Sequence, residues 1–196
     1  MLRLVRPTDA RYVDVALNDV DALLIDHAHC EHKAAVTALS FVSKYPDDPV
    51  LVRSLSALAR DEAGHFAHMV ELCHARGLTL GHPGKDEYVA ALLSLVRKTS
   101  LVTQRIDRLL VCAFVEARSC ERLQMLARGF AERGDDIPGG RELAAVYDEL
   151  WRAEAEHHVL FVELAARAGD VEERLVQLAA HESDVVARLP LRAAIH

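Results

Sequence analysis

A chain of 196 residues with 51% hydrophobic but only 5% aromatic side chains suits one alanine- and leucine-rich helical domain spanning residues 1–196. Its formal net charge of −7 excludes a general nucleic-acid coat, which needs a basic surface. No apolar run approaches the roughly 18 residues needed to cross a bilayer, and residues 1–13 carry arginines and a proline but no secretory apolar region, so a cytoplasmic protein with no membrane partner is expected.

The first long helix is predicted to start after Asn18 and run to about residue 45. In the turn Tyr45-Pro46-Asp47-Asp48-Pro49, Asp48 stands as N-cap and Pro49 as first helical residue, so a second helix returns antiparallel until Gly77 stops it. A Gly/Pro stretch over 77–84, a shorter helix over about 86–98 and a third long helix over about 103–129 follow. After Asp135-Asp136-Ile137-Pro138-Gly139-Gly140 a fourth long helix runs to 168, Gly169 ends it, and Asp170 with Glu173 opens a last short helix in a capping-box pattern. Hairpin, long crossover, hairpin is the topology of an all-α, ferritin-like four-helix bundle, here with one short helix in the crossover and another at the C-terminus. The four cysteines, Cys30, Cys73, Cys112 and Cys120, form no C-x-x-C pair and read as free thiols within helices.

Two Glu-x-x-His quartets, Glu62 to His65 and Glu154 to His157, are each preceded at hairpin distance by a lone glutamate, Glu31 and Glu116. Roughly one such quartet is expected by chance in a chain of this composition, so the faces decide. Glu62 and His65 share a stripe with Leu55, Leu58, Ala59, Phe66 and Met69, and Glu154 and His157 one with Leu150, Trp151, His158 and Phe161. A third quartet, Glu71 to His74, falls about half a turn round the same helix and should be solvated. Glu31 is in register with Leu24, Ala28, Ala35 and Ala38, and Glu116 with Leu109, Ala113, Cys120 and Leu123; Glu121 replaces Glu116 if the third helix ends nearer Arg133. Four carboxylates and two imidazoles in this order can hold two iron ions, with hard oxygens balancing the charge and one imidazole per metal leaving positions open for molecular oxygen. His27 and His158 read as packing or surface histidines, an outer role beside the ligands being the other reading.

Residues 97–133 hold eight Lys/Arg against four Asp/Glu, whereas 134–196 hold six against thirteen, so the third helix is the basic element. On it Arg108, Arg118 and Arg122 fall within about 80° of one another, a stripe that could meet phosphates or could simply be solvated.

The run Leu23-Leu24-Ile25-Asp26-His27-Ala28-His29-Cys30-Glu31-His32-Lys33-Ala34-Ala35, with Glu116-Ala117-Arg118-Ser119-Cys120-Glu121-Arg122 and the two quartets, resembles the MiaE family of tRNA hydroxylases over essentially the whole chain. The resemblance implies a non-haem di-iron monooxygenase that uses molecular oxygen as co-substrate to hydroxylate the isopentenyl chain of 2-methylthio-isopentenyladenosine in tRNA. It implies Glu31, Glu62, His65, Glu116, Glu154 and His157 as metal ligands, and tRNA carrying that base as partner. Electrons must come from an external donor of ferredoxin or reductase type, because the chain has no flavin or nicotinamide fingerprint. The rival on the same six residues is a ferritin- or rubrerythrin-like protein that oxidises iron or removes peroxide.

Overall fold

Residues 2–196 are described by the computed structural model, in which every regular element is helical. A short helix that the sequence pattern did not announce, α1 (Arg11–Leu17), comes first and buries Tyr12, Ala16 and Leu17. In α2 (Val20–Lys44) the Asp19 carboxylate accepts from the Ala22 N–H at 3.2 Å. Asp48 does the same for Leu51 at 3.1 Å, with Pro49 in the first turn of α3 (Pro49–Ala75), as expected from the turn sequence. Gly77 ends that helix in the left-handed region at φ 72°, and the Leu78 N–H returns to the Cys73 carbonyl at 2.9 Å.

Two compact units result. One comprises Asn18–Gly84 with Ala193–Ile195, and the rest of the described chain forms the other. In the first, α2 and α3 pack along each other as a hairpin and bury Leu23, Leu24, Ala28, Ala38, Phe41, Leu51, Leu55 and Met69. The Ile195 N–H donates to Asp26 at 2.8 Å.

The second unit is built on α5 (Leu101–Arg133), after the short α4 (Glu87–Leu93). α5 packs against α6 (Gly140–Glu154), α7 (His157–Ala166) and α8 (Glu172–Arg188), as well as α1 and α4.

Four boundaries differ from the sequence expectation. Gly129 does not stop α5: it stays in helical conformation and is the place where α1 crosses closely, since a Cβ there would run into Val13. The hairpin instead turns where Gly134 and Gly140 meet backbone to backbone; a Cβ on Gly140 would lie 2.5 Å from the Gly134 carbonyl oxygen. α4 stops at Leu93 because the Arg97 N–H goes to the Asp107 carboxylate at 2.8 Å rather than to a helix carbonyl. The C-terminal helix has 17 residues and is held by the buried stripe Leu175, Leu178, Ala179, Glu182 and Val185; it lacks the expected capping box, Asp170 accepting instead from the Glu172 N–H at 3.0 Å.

The fourth boundary lies inside the second quartet. The predicted single helix is interrupted across Ala155 and Glu156, where the Val159 and Leu160 N–H groups both go to the Glu156 carbonyl at 3.1 Å. Both residues keep right-handed torsions, so the chain shifts its hydrogen-bond ladder without reversing direction. No helix among the described residues is long and apolar enough to cross a membrane.

Candidate metal centre

Each unit gathers three ligand-type side chains. In the α2–α3 hairpin, single donor atoms of Glu31, Glu62 and His65 lie within 4.8 Å of one another. Glu31 is 6% and Glu62 1% exposed, so two carboxylates sit inside a helical hairpin where isolated charges are costly. His65 Nδ1 stands 3.7 Å from Glu31 Oε2 and 3.8 Å from Glu62 Oε2. Those spacings are too long for hydrogen bonds, but nitrogen and oxygen donors bound about 2.1 Å from one ion stand about 3 to 4 Å apart. The donor set therefore fits a hard divalent metal. Burial pushes the Glu31 carboxyl up, yet the hydrogen bond with His27 above all holds it down at about 2.

In the second unit, donor atoms of Glu116, Glu154 and His157 likewise lie within 4.8 Å of one another. The register that brings them together is marked by Cys120, whose thiol donates to the Trp151 carbonyl at 3.5 Å. With antiparallel helices, that contact sets Glu116 level with the residues just after Trp151, among them Glu154. The helix interruption then aims His157 at Glu154, with Nδ1 2.5 Å from Oε2. That is a hydrogen-bonding separation, so the two must part by at least about half an ångström to bind one ion through these atoms. Burial, then the negative charges of Glu154 and Glu116, push the Cys120 thiol up to about 11; burial, then Glu116, push Cys112 up to about 12. Both thiols thus stay protonated beside the acids and add no charge.

The open choice on the third helix is resolved against the helix-end criterion: α5 does run to Arg133, yet Glu116 and not Glu121 lies at the cluster. Glu121 accepts from the Thr8 N–H at 3.2 Å and from the Thr8 hydroxyl at 2.6 Å, and pairs with Arg118, whereas Glu116 is the carboxylate beside Glu154 and His157. Glu71 and His74 are exposed.

The model of the family described as tRNA-(MS(2)IO(6)A)-hydroxylase (MiaE) matches residues 2–196. The chain belongs to the MiaE family. Among curated MiaE-type relatives, it is 38% identical over 164 residues, covering 84% of this chain and 75% of the relative, to the tRNA 2-(methylsulfanyl)-N(6)-isopentenyladenosine(37) hydroxylase of Pseudomonas putida. The enzyme of the same name from Salmonella typhimurium is 28% identical over 213 aligned positions, again covering 84% and 75%. A solved structure, protein 43 with aldehyde deformylating oxygenase activity from Synechococcus, superposes with a TM-score of 0.84 at 35% identity, covering 97% of this chain and 92% of that one. The fold of this MiaE-family enzyme is accordingly ferritin-like.

The expected arginine stripe is not a surface in this MiaE-family chain. Arg118 is fully buried: Nη2 donates to Glu182 Oε1 at 2.7 Å and to the Arg6 carbonyl at 2.8 Å, and Nη1 donates to the Thr8 hydroxyl at 3.0 Å. Arg122 is 9% exposed, its guanidinium lying 4.7 Å over the Tyr12 ring. Only Arg108 keeps partial exposure. Helical angles placed the three side by side correctly, but α1, α8 and the N-terminal segment cover that side of α5, and a pattern on one helix does not show what covers it. His27 was undervalued for the reverse reason: it is buried and lies 2.6 Å from Glu31, and its i to i+4 spacing from that ligand was the available signal.

Proposed function

We propose that this enzyme hydroxylates the isopentenyl chain of 2-methylthio-isopentenyladenosine in tRNA, with two iron ions held by Glu31, Glu62, His65, Glu116, Glu154 and His157. The observation that carries the reading is the family match over residues 2–196, and the triads of hard oxygen and imidazole donors within each unit support the metal. When bound, the iron pair supplies the activation of molecular oxygen. The overall reaction consumes one oxygen molecule, two electrons and two protons per C–H bond converted to C–OH, and releases one water. The electrons come from an external donor of ferredoxin or reductase type. The chain's own part is to keep, in each unit, two buried carboxylates and one imidazole together where water is largely excluded, so that the charge of a bound metal is balanced.

The test is a turnover assay with 18O2, a chemical or ferredoxin reductant and tRNA bearing the prenylated base. One 18O atom should enter the nucleoside. Unchanged tRNA from an iron-loaded, reducible protein overturns the proposal. The likeness to the Synechococcus protein favours one second reading, oxygen-dependent aldehyde deformylation; formate release from an aldehyde, with tRNA left unmodified, would establish it instead. Rapid mineralisation of added ferrous iron with neither product would mark the ferritin-like rival.

A further inference from the structure

The α2–α3 hairpin contains a buried histidine that neither the quartets nor the lone glutamates include. His27 is 1% exposed, one helical turn before Glu31, and its Nε2 lies 2.6 Å from Glu31 Oε1. The other oxygen of the same carboxylate, Oε2, is the one turned toward His65, at 3.7 Å. The two oxygens of Glu31 are therefore divided between two imidazoles: Oε1 at hydrogen-bonding distance from His27, Oε2 at a ligand-to-ligand distance from His65. A carboxylate fixed in this way cannot swing about its last torsion to present both oxygens equally, and a second imidazole inside a hairpin is retained only where it has such a partner.

We infer that His27 is a positioning residue that holds Glu31 through Oε1 and leaves Oε2 as its single metal-binding oxygen, making Glu31 a one-oxygen ligand on the ion that also takes His65. The inference rests on the proposed ligand set. Carboxylate ligands commonly depend on such outer hydrogen bonds, whose loss costs about 10- to 100-fold in metal affinity. His27 does not touch the metal; it acts through the orientation of Glu31.

Cobalt(II) titration of the metal-free full-length protein tests this without turnover, because band intensity in the visible spectrum reports coordination number and the titration reports affinity. His27→Ala releases Oε1, so Glu31 can chelate through both oxygens: affinity should fall about 10- to 100-fold, and the visible bands of the bound cobalt should weaken as coordination number rises. His27→Gln, whose amide can donate to the same oxygen, should restore the intensity and most of the affinity. Far-UV circular dichroism and melting identify any variant that has lost its fold, and a merely structural histidine would change melting but not the spectrum of the cobalt that still binds. Wild-type affinity and spectrum in His27→Ala overturn the inference, as does an altered spectrum in a folded His27→Gln as large as that in His27→Ala. Glu31→Gln separates the two levels: if it binds cobalt as wild type does, the ligand assignment itself falls, and if it loses cobalt while His27→Ala is silent, only the role of His27 falls.

Discussion

Single residues carry the sharpest contrasts in this chain. Glu116 and Glu121 are five positions apart on α5, yet one lies with Glu154 and His157 and the other accepts two hydrogen bonds from Thr8. Glu116→Ala should therefore abolish iron retention with little unfolding, whereas Glu121→Ala should keep iron and lower stability by about 1–3 kcal/mol through the abandoned Thr8 and Arg118 donors. Iron analysis paired with urea denaturation separates them, and iron loss in Glu121→Ala would refute the assignment. Gly64, inside the first quartet, has open space where a Cβ would go, so nothing near it requires glycine. Gly64→Ala should raise stability by about 0.5–1 kcal/mol, by removing backbone freedom from the unfolded chain, and leave metal content unchanged. Thermal melting checks the sign. At this scale the six candidate ligands were readable because acids on apolar helical faces are rare; the fate of Arg118 and Arg122 was not, because burial of a long basic side chain depends on partners from remote segments.

At the scale of elements, the helix start at Asp48 was legible from its acidic cap, and Asp19 and Asp86, which the sequence pattern did not single out as caps, cap in the same way. The Ser100 and Thr103 capping box was not anticipated, since the usual signal has Glu or Gln at the third position. The interruption at Ala155 and Glu156 left no trace of Gly or Pro to read; it is visible only when Glu154 and His157 are both seen to turn inward. α8 is bound to α5 by a buried ion pair, Arg118 with Glu182, to which Tyr88 adds a hydroxyl donor at 3.0 Å. Arg118→Ala removes the cation beside the buried Glu182 and should destabilise by about 3–5 kcal/mol, whereas Glu182→Ala leaves Arg118 its pair with Glu121 and should cost less. Arg118→Met combined with Glu182→Leu should cost far less than the sum of those two changes made singly, and the double-mutant cycle they form in urea measures the difference; strict additivity would show that the pair is not coupled.

Over the whole molecule, the repeated quartet places one Glu-x-x-His and one lone glutamate in each compact unit, and the sequence order of the six side chains was enough to see the repeat. The division into units was not legible, because no linker composition marks it. If the six side chains bind iron, the native state gains what the unfolded chain cannot. At about 100 times the dissociation constant that gain is about 2.7 kcal/mol. For a chain of this length the melting temperature should rise about 5–10 °C. Glu62→Ala should abolish the rise, and an equal rise in that variant would show that ferrous iron binds elsewhere.

The Arg118 cluster also imposes an order on biosynthesis. Besides Glu121 on α5 itself, its partners are Arg6 and Thr8 near one end of the sequence and Glu182 near the other, so the guanidinium at the middle of α5 meets its full set only after residue 182 has left the ribosome. Until then Glu121 of the same helix is the guanidinium's carboxylate partner on a face destined for the interior, and the ion pair that binds α8 to α5 is missing. The α2–α3 hairpin has no such dependence among its principal core contacts and can form while the rest is still being made. A nascent chain halted before α8 should thus present a protease-resistant hairpin followed by a susceptible α5.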